Sequence, residues 1–479
     1  MGQGSVDVEL VEGPGRASAQ DPPATAARRA GLARLLRRWW PVPVALVLVL
    51  VAWQVVADRQ DRAAVAELRG TPGVIGSTVT PPLTATPWGT SDALAVLAEP
   101  VETEDGLLLG SVLARTGGWD VVALDADDGT EAWRAAVTQP EPRAGTSAFV
   151  VCEGDADPAR DVACLVQTER YDPGPGEAAV ASRLVRVDLA GRTVEPVRDL
   201  PPGAAAAVAG DLLVLAENRP GAAGGPGVIA LAATDLATGE PRWQAEVPGA
   251  FPVGAGVPAV RWLDGHVLVH GPAQTWALDP ADGAVQGSGT DLQVLRGGRL
   301  ADVAGSSATR LFGPDGEPRV SLEGTSVVIA PDDGGVPDLL VLRRYDGSAG
   351  GTLQGVDAGT GTPLWDVTLD RDPMTPAVLL GGLLYVSDGL TVRAVDAATG
   401  EQRWATTGGT ENGAGLVSDG VHLLRVERDP AAGGQVLAAY ALADGSRTWS
   451  TPMPEQVDTL LVRDGQLYGR HDSELLRIG

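Results

Sequence analysis

The chain has 479 residues, of which 62 are Asp or Glu and 36 are Lys or Arg, a formal net charge of −26. All 36 cations are arginines. An acidic surface repels phosphate backbones, which argues against a nucleic-acid-binding role, and a chain of this length with 44% apolar residues can bury a large core.

Residues 1–27 are rich in Gly, Ala, Pro and acidic residues without a helix or strand period, and 1–38 are expected to be a disordered cytoplasmic tail. Residues 39–57, WWPVPVALVLVLVAWQVVA, carry no charge. As a helix rising ~1.5 Å per residue they span about 28 Å, close to the hydrocarbon thickness of a bilayer. Trp39, Trp40 and Trp53 lie near the ends of the run, where indoles prefer the membrane interface. Arg28, Arg29, Arg34, Arg37 and Arg38 precede it, whereas Arg59, Arg62 and Arg69 behind it are offset by Asp58, Asp61 and Glu67. A single transmembrane helix with its N-terminus in the cytoplasm is therefore expected. The rival is a signal peptide cleaved after Val55-Val56-Ala57, whose leader and apolar region would both be unusually long.

Residues 58–89 are expected to be a linker, and 90–479 a repeat domain outside the membrane. From residue 58 onward, 58 acidic residues face 30 arginines, a charge of −28 that could attract basic partners or serve solubility alone.

The repeat domain keeps returning to one turn, apolar–x–Asp–x–x–Thr/Asp–Gly–x–x–x–Trp. Its strong copies are Asp125, Gly129 and Trp133; Asp235, Gly239 and Trp243; Asp357, Gly361 and Trp365; and Asp396, Gly400 and Trp404. Weaker copies lie at Asp188, at Asp279 and Gly283, at Phe312 and Gly316, and at Ala441, Gly445 and Trp449. Spacings of about 35–60 residues are those of a propeller or array. Apolar residues alternate before each Asp, as in Val392-Arg-Ala-Val, which predicts a strand. The Asp carboxylate can accept amide hydrogens across the turn, the Gly takes a left-handed φ, and the Trp packs on the neighbouring unit. One unit parses into strands at 374–380, 382–387, 390–397 and 401–406.

These turns resemble the repeat of the PQQ-like (quinoprotein-type) β-propeller family, over about residues 90–479. The resemblance implies an all-β propeller of about eight four-stranded blades, with seven to nine as the range. The eight turns are followed by a three-strand fragment from Val457, and a closed ring needs a fourth strand, which residues 82–88 are placed to supply. The short unit around Phe312 is expected to be degenerate.

Cys152 and Cys164 are the only cysteines and fall on adjacent strands, so outside the cytoplasm they are expected to form a structural disulfide. His266 and His270 lie four apart in a strand, about 13 Å, too far to share one zinc. The chain has no nucleophile elbow, zinc-protease helix or phosphate loop. Quinone-dependent alcohol dehydrogenases of the resembled family carry adjacent cysteines, calcium ligands and a catalytic Asp, and this chain has no Cys-Cys pair. It is more similar to the non-enzymatic BamB-type branch, but lacks a lipobox cysteine after the apolar run. The resemblance implies a membrane-anchored scaffold for envelope proteins, without catalysis, cofactor or metal. A ligand-binding sensor is the alternative, and a quinone-dependent dehydrogenase the less favoured one. Exposed apolar residues at the funnel mouth would favour a protein partner; clustered carboxylates there would favour metal and quinone.

Overall fold

The computed structural model describes residues 41–479 except 90–91, 99, 104, 115–116, 138–145, 154–161, 171–179, 202, 220, 222–226, 252–257, 305–307, 314, 346–349, 372–375, 409, 430–432, 455–456, 458 and 473. The expected cytoplasmic tail, Trp39, Trp40 and the side chains of 41–45 lie outside the described residues. Two compact units are present, Met1–Val65 and Ala66–Gly479. A helix runs over Pro41–Arg69. Among the described residues no helix is long and apolar enough to cross a membrane. Within the helix, Leu46, Leu48, Val49, Leu50 and Trp53 are each more than half exposed.

Unit two is a propeller of nine sheets rather than eight. In chain order they take residues 101–136, 146–199, 204–248, 259–289, 292–323, 325–369, 377–407 and 410–452, and the ninth joins 459–478 to Ala85–Pro87. The count rises because the unit around Phe312 is a full blade, Leu292–Leu295, Arg299–Ala304, Ala308–Phe312 and Pro318–Glu323, not a degenerate one. The three-strand fragment at the end is then the ninth. Ala85–Pro87 pairs antiparallel with Leu476–Ile478, so the ring closes between distant parts of the chain.

Each junction between neighbouring blades holds an apolar cluster, because successive sheets stack face to face and bury the alternate residues of both. Val214, Ile229 and Trp243 of blade three meet Val267, Val269 and Trp276 of blade four. At the closing junction Trp88, Tyr468 and Leu475 meet Leu108 and Leu124 of blade one and Val96 of the preceding helix. The short helix Ala93–Ala98 lies against blade one, where Gly110 leaves room for Val96: a Cβ on Gly110 would come within 2.7 Å of the Val96 Cα.

Residues 71–88 form a strap. Val74 and Ile75 are buried, Ile75 N–H donates to the Ser418 carbonyl and Gly76 N–H to the Gly465 carbonyl. Val79 N–H donates to the fully buried carboxylate of Asp419 at 3.0 Å, so part of the expected linker is bound to blades eight and nine.

Candidate functional site

The repeated residues are spent on architecture. In each strong copy the Asp N–H and carbonyl close a turn: Asp235 N–H donates to the Glu240 carbonyl, and Gly239 N–H donates back to the Asp235 carbonyl. Asp125, Asp357 and Asp396 repeat both bonds. The Asp235 carboxylate also accepts from the backbone N–H groups of Ala237 and Thr238 and from the Thr238 hydroxyl, while Arg242 sits on its other oxygen at 2.6 Å. The Arg242 guanidinium and these donors hold the Asp235 carboxyl down at about 2. Gly129, Gly239, Gly361 and Gly400 take φ between 70° and 74°, which a side chain would strain.

The indoles of Trp243, Trp365 and Trp404 each lie over the turn glycine of the next blade. Trp243 Nε1 donates to the Pro280 carbonyl at 2.6 Å, Trp365 Nε1 to Ala397 at 2.8 Å and Trp404 Nε1 to Leu442 at 3.0 Å. A Cβ on Gly283 would stand 2.6 Å from the Trp243 ring, and one on Gly400 or Gly445 would overlap Trp365 or Trp404. Trp133 is buried among Val162, Val185 and Val187 of blade two. Trp88 fills the same position against Gly129, although it precedes every repeat in the chain.

Cys152 and Cys164 are directly opposite in register and are disulfide-bonded, against Val121, Ala123 and Trp133 of blade one. His266 contacts the Gln286 side chain and the Gly298 carbonyl, and His270 contacts the Thr275 hydroxyl. The two histidines are not brought together, and burial pushes the His270 imidazole below its ordinary value. Among the described residues no three His, Cys, Asp or Glu side chains gather as a metal site. The chain has no adjacent cysteine pair.

Sequence reading missed a buried ionic group between blades seven and eight. Arg425 and Glu427 are both fully buried, with Arg425 Nη2 donating to Glu427 Oε1 at 2.6 Å. The Tyr440 hydroxyl donates to the same carboxylate oxygen, Arg425 Nη1 lies 3.4 Å from Ser387 Oγ, and Arg447 reaches the other Glu427 oxygen at 3.4 Å. A Cβ on Gly408 would overlap this group, so only glycine admits it. Burial, then the bond to Glu427, pushes the Tyr440 hydroxyl up to about 12. Every charge here has a partner, which offsets the cost of taking it out of water.

Regularity breaks where blade six meets blade seven. The inner strand of blade six stops after Thr325–Ser326, and Ile329–Asp332 crosses to pair in parallel with blade seven. Val328, at the crossing, is 65% exposed. Val294, Leu295, Val327, Val328 and Leu340 line a cleft of about 520 Å³ beside it. Arg296 fixes its floor: the guanidinium holds the Asp332 carboxylate through two nitrogens and donates to the Val336 carbonyl. The cleft is lined by residues 293–295 of blade five, residues 339–341 of blade six and the turns at Asp264 and Arg296–Gly298 that join first to second strands.

Residues 349–475 match the family model described as outer membrane protein assembly factor BamB, which supports the resemblance of the repeats to the PQQ-like β-propeller family. No curated protein matches the chain. Among solved structures, BamB from Moraxella catarrhalis is 15% identical, with 79% of this chain and 95% of that one covered at a TM-score of 0.36. The computationally designed Ika8 protein is 10% identical over 85% and 99% at 0.37. A quinohemoprotein alcohol dehydrogenase, ADHIIG from Pseudomonas putida HK5, is 13% identical over 87% and 81% at 0.33. At such scores these likenesses carry no argument about activity.

Proposed function

We propose that this PQQ-like β-propeller is a membrane-anchored, extracytoplasmic scaffold that binds an envelope protein and performs no catalysis. The observation that carries the reading is the blade six to seven crossing: the exposed Val328 beside an apolar-lined cleft braced by Arg296, in a ring whose repeated residues are otherwise used in turns and packing. An exposed apolar side chain beside an apolar-lined cleft suits a protein partner better than a metal or quinone. The match of residues 349–475 to an outer-membrane assembly factor supports the same class of role. The uncharged run 39–57, with its excess of arginines on the N-terminal side and exposed apolar residues from Leu46 onward, supports the anchor and its orientation. A net charge of −28 outside the membrane suits a basic partner surface.

The test places a photo-crosslinking amino acid at Val328, or at the exposed Leu364 as control, in the full chain in its own membrane. The expected result is one discrete protein adduct from position 328 that is absent from 364. No adduct, or the same adducts from both positions, would refute this surface. Protease added to intact spheroplasts should digest the propeller and leave residues 1–38; a protected propeller would refute the orientation.

A further inference from the structure

Blade four breaks the repeat that seals its neighbours. Four residues after Gly283, where Trp243, Trp365 and Trp404 stand in their own blades, the chain has Gly287. Phe312 of blade five turns back toward the gap, its ring 3.2 Å from where a Gly287 Cβ would lie. It does not fill the space: between the blades there remains a cleft of about 550 Å³, within the range of small-molecule sites.

The lining of this cleft differs from every sealed junction. Gln274, Ser288 and Thr290 face it with side-chain amide and hydroxyl groups that make no hydrogen bond among the described residues. Arg310 and Asp302 form the opposite wall, 3.4 Å apart, with Asp302 almost wholly buried. Its carboxylate is fixed further by the Asp291 N–H at 3.0 Å, and it occupies the space that a side chain on Gly289 would take. Phe312 contributes a half-buried aromatic ring. The Asp315 carboxylate at the rim is engaged by Arg319 at 3.0 Å, and Glu317 beside it adds a further negative charge.

We propose that the cleft between blades four and five binds a neutral carbohydrate. A sugar ring offers an apolar C–H face to stack on Phe312, and vicinal hydroxyls that both donate and accept. The Gln274 amide, the Ser288 and Thr290 hydroxyls and the Arg310–Asp302 pair match that pattern. Acidic ligands are disfavoured, because Asp302, Asp315 and Glu317 outnumber the cations at the cleft. A bare cation is also disfavoured, because the carboxylates of Asp302 and Asp315 are already held by arginines. The assignment is independent of the scaffold role, which uses another junction.

The purified full chain is applied to an array of neutral, amino-sugar and uronic-acid oligosaccharides, and hits are measured by titration calorimetry. Retention of at least one neutral oligosaccharide is expected. Phe312→Ala and Gln274→Ala should each weaken it at least tenfold, and Ser288→Trp, which fills the cleft, should abolish it, with melting transitions like the parent's. Leu364→Ala should leave it unchanged. Absence of any neutral hit, binding of uronic-acid ligands alone, or binding that survives both Phe312→Ala and Ser288→Trp would overturn the assignment. If a substitution lowers the melting temperature, the nuclear magnetic resonance contacts of the bound sugar to Phe312 in the parent decide instead, and their absence counts against it.

Discussion

Removing the Trp404 indole should be costly, and it should make a substitution at the neighbouring Gly445 cheaper. Trp404 is 8% exposed, and its ring lies 5.8 Å from that of Tyr385, centroid to centroid. Truncation to Ala removes most of a buried aromatic and leaves a cavity, about 3–5 kcal/mol. The lost hydrogen bond adds little, because the Leu442 carbonyl also accepts from the Tyr385 hydroxyl at 3.3 Å and so keeps a donor. Trp404→Phe should therefore cost only about 1–2 kcal/mol. Gly445→Ala alone pays twice: a left-handed φ of 70° and overlap with the indole, together about 2–4 kcal/mol. In the Trp404→Ala background the overlap is gone and only the backbone strain of about 1 kcal/mol remains. A double-mutant cycle from urea unfolding should show a coupling of about 1–3 kcal/mol that favours the double variant. Additive losses, or a Trp404→Ala protein that unfolds like the parent, would refute the account of these residues as a packed pair.

Three further expectations follow from the same geometry. Free-thiol labelling of the denatured, unreduced chain should find no thiol, and Cys152→Ser with Cys164→Ser should lose about 2–3 kcal/mol, the closure of a loop with a sequence separation of 12; two labelled thiols would refute the bond. Asp235, with its carboxyl at about 2 against an unfolded value of 3.8, stabilises the fold above about pH 4 and loses that contribution as the pH falls towards 2. Arg242→Ala should raise its titration midpoint in carbon-detected resonance spectra, and no shift would discount the ion pair. Glu427→Gln should destabilise by about 3–5 kcal/mol by stranding the buried Arg425, whereas Arg425→Leu with Glu427→Leu should recover much of the loss; thermal unfolding of both variants decides.

Four blades could be read directly because their Asp, Gly and Trp are fixed by backbone geometry and packing at once. Blades four and five could not be read as well. Gly287 stands where the Trp is expected in one and Val320 in the other, and Gly361 packs on that valine as other turn glycines pack on indoles. A search for Trp undervalues both units, and this is why the Phe312 blade reads as degenerate and the count falls one short. Closure is legible because a three-strand end in a ring requires a fourth strand. The strap is less so: Val74, Ile75 and Val79 alternate too weakly to predict their burial. Arg425 and Glu427 are hidden for a different reason. In Leu-Arg-Val-Glu the charges alternate with apolar residues as on a solvent-facing strand, and only the stacking of another blade buries both faces. The clefts depend on a strand that changes blades and on an absent side chain, neither of which leaves a motif.

The pairing of Ala85–Pro87 with the last strand sets an order of events on the ribosome. Residues of the closing strand emerge early but have no partner until Glu474–Ile478 has been made, nearly four hundred residues later. Until then eight blades can stack in sequence while blade one and the growing end each present an open flank, with Trp88 unable to cover both sides of its junction. A translation product that stops before Glu474 remains an unclosed array, with its first and last sheets available to pair with other chains. Shortening Glu474–Ile478 should therefore leave an unclosed, aggregation-prone array with most of its blades intact.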